Sequence, residues 1–123
     1  MKKIAIAIDG PAAAGKSTIA KRIAKKLGFT YIDTGAMYRA FTYYVLKNGI
    51  DPQNEEASCA VIDKVDIKLL PNDHVLCNDE DVTTVIRENE VSRNVSYIAS
   101  YKAIRLAMVD AQRKMAESTS VVM

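Results

Sequence analysis

The chain has little that could bind a metal. Its 123 residues include one histidine, His74, and two cysteines, Cys59 and Cys77. No CxxC pair occurs, so a zinc site of the usual ligand spacing is excluded. Both cysteines fall in apolar patterns, which predicts buried free thiols in a reducing cytoplasm. His74 sits in a strand-and-turn pattern and is expected to take no part in chemistry. Long hydrophobic runs are also missing. None approaches the roughly 18 residues of a membrane span. The opening "MKKIAIAIDG" is apolar only from Ile4 to Ile8, short of the roughly 7–15 residues of a signal-peptide core. A strand is expected there, and no membrane partner. Charge of one sign is scarce as well. The balance of 17 Lys+Arg against 15 Asp+Glu leaves +2, too little for a nucleic-acid-binding face. Internal repeats, low-complexity tracts and linkers are absent.

What is present is one domain's worth of chain, 49% hydrophobic and 26% charged, enough for a real core. Ile4, Ile6 and Ile8 alternate with Ala5 and Ala7, so both faces are apolar, as in a central parallel strand covered by helices. Ile19, Ile23 and Leu27 then recur every fourth residue, which predicts the buried stripe of a helix closed by Gly28. "FTYID" (29–33) reads as a second strand. Thr34 is placed to cap a helix over about 36–46, which Asn48-Gly49 ends, with Met37 in its core face. Asp51-Pro52 starts another helix, running to about residue 64. Short strands joined by polar turns fill about 65–84. Helical periodicity returns from Thr84 to Ala116. Ser100 is a cap candidate there, and Ile104, Met108, Ala111 and Met115 share one face. "STSVVM" begins a further strand. The order predicts an α/β fold: a parallel sheet flanked by helices, with a small antiparallel β insertion.

Gly10-Pro11-Ala12-Ala13-Ala14-Gly15-Lys16-Ser17 matches G-x-x-x-x-G-K-[ST], the phosphate-binding P-loop. The glycines let the backbone turn so that its N–H groups cradle phosphates. The helix that follows points its positive end at the anion. Lys16 reaches the β- and γ-phosphates, and Ser17 offers a hydroxyl to Mg²⁺. The strand before the loop and the amphipathic helix after it are the context that this motif requires. The dinucleotide pattern G-x-G-x-x-G is missing, because Pro11 and the alanines fill its slots. A nucleoside triphosphate, ATP, is therefore the expected donor. Asp33 and Thr34 end the second predicted strand, where ligands collect in open α/β sheets. Arg39, near the start of the next helix, offers a planar fork suited to an acceptor's phosphate.

"GPAAAGKST" followed by "YIDTGAMYRA" resembles the bacterial cytidylate kinases, a branch of the nucleoside monophosphate kinase family. "VLCNDEDVTTVIR" resembles that family's strand-rich insertion, and "VSYIASYKAIRLAMVDAQR" its helical stretch beside the cytosine ring. The resemblance implies phosphoryl transfer from ATP to CMP or dCMP with Mg²⁺, in a cytoplasmic monomer. It implies catalytic roles for Lys16 and Arg39. It places ATP on residues 10–18, through Thr18, with the metal at Ser17. CMP would meet Asp33, Thr34, Tyr38, Arg39, Ser96 and Arg105, the last two by hydrogen bonds to the base. Plainer readings stay open. Tyr38 could pack in the core, Arg105 could pair with Asp110, and Ser96 could merely cap a helix.

The resemblance also divides the chain. About 1–34 and 117–123 would form the core sheet and P-loop, and about 35–116 the monophosphate-binding region. The family's Asp-Gly-Arg-Asp-type stretch and its arginine-bearing lid lie later than Met123. The chain is thus expected to be an incomplete kinase domain that binds nucleotide but catalyses weakly by itself. A P-loop kinase for another small acceptor is the alternative within enzymes. A GTPase-type switch would need N-K-x-D, which does not occur.

Overall fold

The computed structural model describes residues 4–6 and 16–122, with side chains in the first helix from Ile19 onward. The expectations for Gly10, Pro11, Ala12, Ala13, Ala14 and Gly15 lie outside the described residues, as do those for the side chains of Lys16, Ser17 and Thr18.

Strands β1 (Ala5–Ile6), β2 (Thr30–Tyr31) and β6 (Val121–Val122) form a parallel sheet in the order β1-β6-β2. Ala5 and Thr30 both pair with Val121, and Ile6 and Tyr31 both pair with Val122. The strand with neighbours on both sides is therefore β6, whose valines are fully buried. Among the described residues β1 pairs with β6 alone, and Ala5 is exposed.

Helix α1 (Lys16–Leu27) packs on β2 and β6. It does so through Ala20 and Ala24, with Ile23 half-buried, while Ile19 and Leu27 stay about half exposed at 50% and 49%. The expected isoleucine–leucine stripe is thus displaced by one position. Small alanines let the helix axis lie close to the short strands, and the larger side chains flank that contact. Gly28 closes α1 as expected. Its φ of +70° suits glycine, and Phe29 N donates back to the Ala24 carbonyl at 2.9 Å. Gly49 repeats the device after α2 (Thr34–Lys47), with φ +70° and Ile50 N bonded to the Val45 carbonyl at 3.0 Å.

Helix α2 is the centre of the molecule. Ala36, Met37, Ala40, Phe41 and Val45 line its buried face and meet Ile86, Ile98, Ile104 and Met108. The expected helix over 52–64 is broken up. Asp51 instead accepts from Gln53 N at 2.9 Å, a local turn that competes with helix. Asn54 caps the short helix α3 (Glu55–Cys59) by accepting from Ala57 N at 3.0 Å, and a 3-10 turn covers Ile62–Lys64.

The antiparallel insertion is as expected: β3 (Ile67–Leu69), β4 (Val75–Cys77) and β5 (Glu80–Asp81) in sequential order. Asn78 and Asp79, both at positive φ, form the two-residue turn between β4 and β5. Lys47 and Tyr43 of α2 bind Glu80 at 2.6 and 2.9 Å and fasten this hairpin to the helix.

Past the hairpin, a 3-10 turn (Val85–Arg87) leads into α4 (Asn89–Ser100) and α5 (Lys102–Ser118). Ser100 does not cap α5. It ends α4, its hydroxyl bonding the Tyr97 carbonyl at 2.6 Å, and Tyr101 takes the junction. The α5 stripe holds, with Ile104 and Met108 buried and Ala111 and Met115 packed beside them. Of the cysteines only Cys77 is buried, and Cys59 is half-exposed. Burial, with help from the Glu80 charge, pushes the Cys77 thiol up to about 11, so it stays an unreactive thiol. No helix among the described residues is long and apolar enough to cross a membrane.

Candidate functional site

Because β1, β6 and β2 are parallel and in register, their carboxyl ends share one edge of the sheet. β1 ends at Ile6 and α1 begins at Lys16, and Asp33 follows β2 at this edge. The two strands are two sheet spacings apart, about 10 Å.

Asp33, rather than Thr34, caps α2: its Oδ1 accepts from Ala36 N at 3.0 Å. Thr34 is the exposed first residue of the helix. Both residue types cap well. The extended backbone of Asp33, φ −87° and ψ 93°, decides which one does. The other Asp33 oxygen, Oδ2, faces Arg87 Nη2 at 3.9 Å. Arg39 lies half-buried one turn along α2 and donates twice from Nη1. One bond goes to the Ile86 carbonyl at 3.1 Å, the other to Ser92 Oγ at 2.7 Å. Neither acceptor is charged, so the guanidinium keeps its full positive charge at this edge. Tyr38 is half-buried and packs against the main core.

Ser96 is exposed one turn beyond Ser92, on the same face of α4, because residues four apart stack on a helix. It caps nothing. Arg105 is exposed in the first turn of α5. Asp110 pairs with Lys114 at 3.2 Å rather than with Arg105. Among the described residues the Arg105 side chain enters no hydrogen bond or ion pair. The structure thus gathers Asp33, Arg39 and the Ser92–Ser96 face, and leaves Arg105 projecting from α5.

Two residues at this edge escape sequence reasoning, Arg87 and Ser92. Arg87 closes a three-residue 3-10 turn, too short to carry a period. Its only sequence signal is a cation just ahead of a helix.

Beside Arg87 a shallow hollow is bounded by Tyr31, Asp33, Leu70, His74 and Val75. His74 Nδ1 lies 3.0 Å from Asp81 Oδ2, and Asp81 Oδ1 accepts from the Thr83 amide at 3.0 Å and from its hydroxyl. The Thr83 bonds foremost, then His74, hold the Asp81 carboxyl down at about 2, against an ordinary 3.8. A depressed carboxylate stabilises the fold above its unfolded value and ceases to do so as pH falls through the folded one. The hairpin is therefore expected to loosen between pH 4 and 2. An NMR titration should show the Asp81 carboxyl shift turning over near pH 2, and a midpoint near 4 would refute the arrangement.

A cavity of about 380 Å³ lies elsewhere. It is lined by Lys21, Lys25, Phe29, Tyr31 and Leu70, against the last turns of α1, toward the amino ends of the strands. The converging polar groups choose the opposite edge.

A family model described as cytidylate kinase matches residues 6–123. The chain is 52% identical over 125 residues to a cytidylate kinase of Anoxybacillus flavithermus, covering 99% of this chain and 56% of that protein. Similar proteins of the same name occur in Geobacillus kaustophilus, 50% identical over 125 residues, and Listeria innocua, 52% over 124. The match covers 99% of this chain in both, and 56% and 55% of those relatives. The chain spans about half the length of the curated relatives it matches.

Proposed function

The chain belongs to the cytidylate kinase family, and we propose on that premise that the full-length protein transfers the γ-phosphoryl group of ATP to CMP or dCMP. The observation that carries this reading is the shared carboxyl edge of β1 and β2. At that edge α2 begins, with Asp33 as its cap and a charged, half-buried Arg39 one turn on, and the sequence between β1 and α1 carries the P-loop motif. In the proposal, residues 10–18 hold ATP, with the Lys16 ammonium on its terminal phosphates. Arg39 binds the acceptor's phosphate. Asp33 fixes the helix that carries Arg39, and the exposed Ser96 and Arg105 reach the base. Residues of about 35–116 act as the acceptor-binding region, and about 1–34 with 117–123 as the donor core.

Mg²⁺ fits this arrangement as an ion bound mainly through substrate phosphates and water, with one or two protein oxygens. Among the described residues no three metal-ligating side chains converge, and the Asp33 carboxylate is already engaged. The Ser17 hydroxyl would supply the protein oxygen, and the bound ion would neutralise charge on the phosphates. Transfer of this kind depends on positioning and charge stabilisation more than on covalent help.

The test is nucleoside diphosphate formation by the full-length protein, with ATP as donor and CMP, dCMP, UMP, AMP and shikimate offered in turn. Turnover is expected with CMP and dCMP at least tenfold above the other acceptors. Preference for AMP or shikimate would replace the reading with another P-loop kinase. The same assay on residues 1–123 alone is expected to be weak, because arginines of finger type, worth roughly 10³–10⁵ in rate, are placed by the resemblance outside it.

A further inference from the structure

We propose that Ser92 is a positioning residue, which pre-sets Arg39 so that the Nε–Nη2 edge of its guanidinium meets the acceptor's phosphate. The inference rests on the reading above, in which Arg39 binds that phosphate. A guanidinium has five N–H donors, two of them on Nη1. In this structure both Nη1 hydrogens are used, one on the Ile86 carbonyl at 3.1 Å and one on Ser92 Oγ at 2.7 Å. Nη1 lies on the side of the group next to Cδ. Pinning it leaves the opposite edge, Nε and Nη2, whole, and that edge forms the parallel two-bond fork with a phosphate.

The chemistry of the two acceptors matters as much as their places. Ile86 is fully buried in the 3-10 turn, so its carbonyl is a fixed point. Ser92 stands in the first turn of α4, which packs along α2. A carboxylate in place of Ser92 would hold the arginine more tightly and compete with the phosphate. Glu88 and Glu90 flank this position, yet among the described residues neither pairs with Arg39. A neutral hydroxyl orients the cation without cancelling it. An arginine already held in one rotamer loses less freedom when the ligand arrives.

The test uses the full-length protein with Ser92→Ala and Ser92→Thr, in steady-state kinetics with each substrate varied in turn. Ser92→Ala is expected to raise KM for CMP about three- to tenfold, the scale of one hydrogen bond to a charged group at a partly exposed site. KM for ATP should stay within about twofold, the thermal midpoint should not move, and Ser92→Thr should restore the parent value. An unchanged KM for CMP, or an equal rise for ATP, overturns the proposal. A second readout needs no turnover. In nitrogen NMR of the Arg39 guanidinium, the parent should give separate Nη1 and Nη2 signals, and Ser92→Ala averaged ones. Averaged signals in the parent overturn the proposal by themselves. A parent that phosphorylates no monophosphate, yet keeps separate Arg39 signals lost in Ser92→Ala, defeats the functional reading and leaves the positioning intact.

Discussion

Arg39→Ala in the full-length protein is expected to lower kcat/KM for CMP by about 10²–10³, with KM for ATP within about twofold of the parent. The magnitude follows from the bonds at stake. A bidentate guanidinium–phosphate contact contributes two charge-assisted hydrogen bonds, about 1.5–3 kcal/mol each before solvent screening. Each 1.36 kcal/mol is tenfold in rate. Arg39 is half-buried and its two partners at Nη1 are neutral, so little of its charge is spent within the protein. Arg39→Lys separates charge from shape. It keeps the cation and loses the fork, so it should recover only part of the deficit. The Ile86 carbonyl loses a donor in both variants, a modest cost to stability that a thermal midpoint reads separately. Retention of kcat/KM within tenfold in Arg39→Ala would remove Arg39 from the acceptor site. The acceptor's phosphate would then need another cation.

How far the sequence discloses this site depends on the range of the interaction involved. Glycine caps are legible because they are local: Gly28 and Gly49 each stand where a periodic run stops, and both take φ +70°. The α5 stripe is legible for the same reason, since Ile104, Met108, Ala111 and Met115 carry a period long enough to read. One-residue choices are not. Asp33 and Thr34 are both good caps, and only the direction in which the chain leaves β2 selects the aspartate. Ile19 and Leu27 share one flank of α1, but the face that packs is chosen by how closely a helix can approach three short strands. The position of β6 between β1 and β2 is a pairing across some 90 residues or more, which no local pattern encodes. Ser92 and Arg87 belong to the same class. Their meaning is their distance from Arg39 and Asp33, 53 and 54 residues away in sequence. The P-loop motif and the "DTGAMYRA" stretch could be named in advance because each is contiguous. The groups that support Arg39 could not.

Phe41→Ala is expected to cost about 3–5 kcal/mol of stability, the range for a fully buried phenylalanine cut to a methyl. Phe41 has no exposed surface and sits at the middle of α2. That helix bears on α4, α5, the hairpin and the 3-10 turn that offers Ile86, so no one neighbour can move in to fill the space. Against a total of about 5–15 kcal/mol for an ordinary domain, the loss is a large fraction. The thermal midpoint of the full-length protein should fall by about 10 °C or more. Leu106→Ala is the control. That leucine is 61% exposed on α5, and its loss should stay within about 0.5 kcal/mol. The kinetic signature should also differ from that of the arginine variants. Phe41→Ala at a temperature near its midpoint loses active molecules, so apparent kcat falls while KM for CMP and for ATP stays near the parent in the fraction still folded. Arg39→Ala does the reverse, changing the acceptor term in a protein that is still folded. If Phe41→Ala melted within about 3 °C of the parent, α2 would not be the central packing element described here. The rigid placement of Arg39 would then need another source.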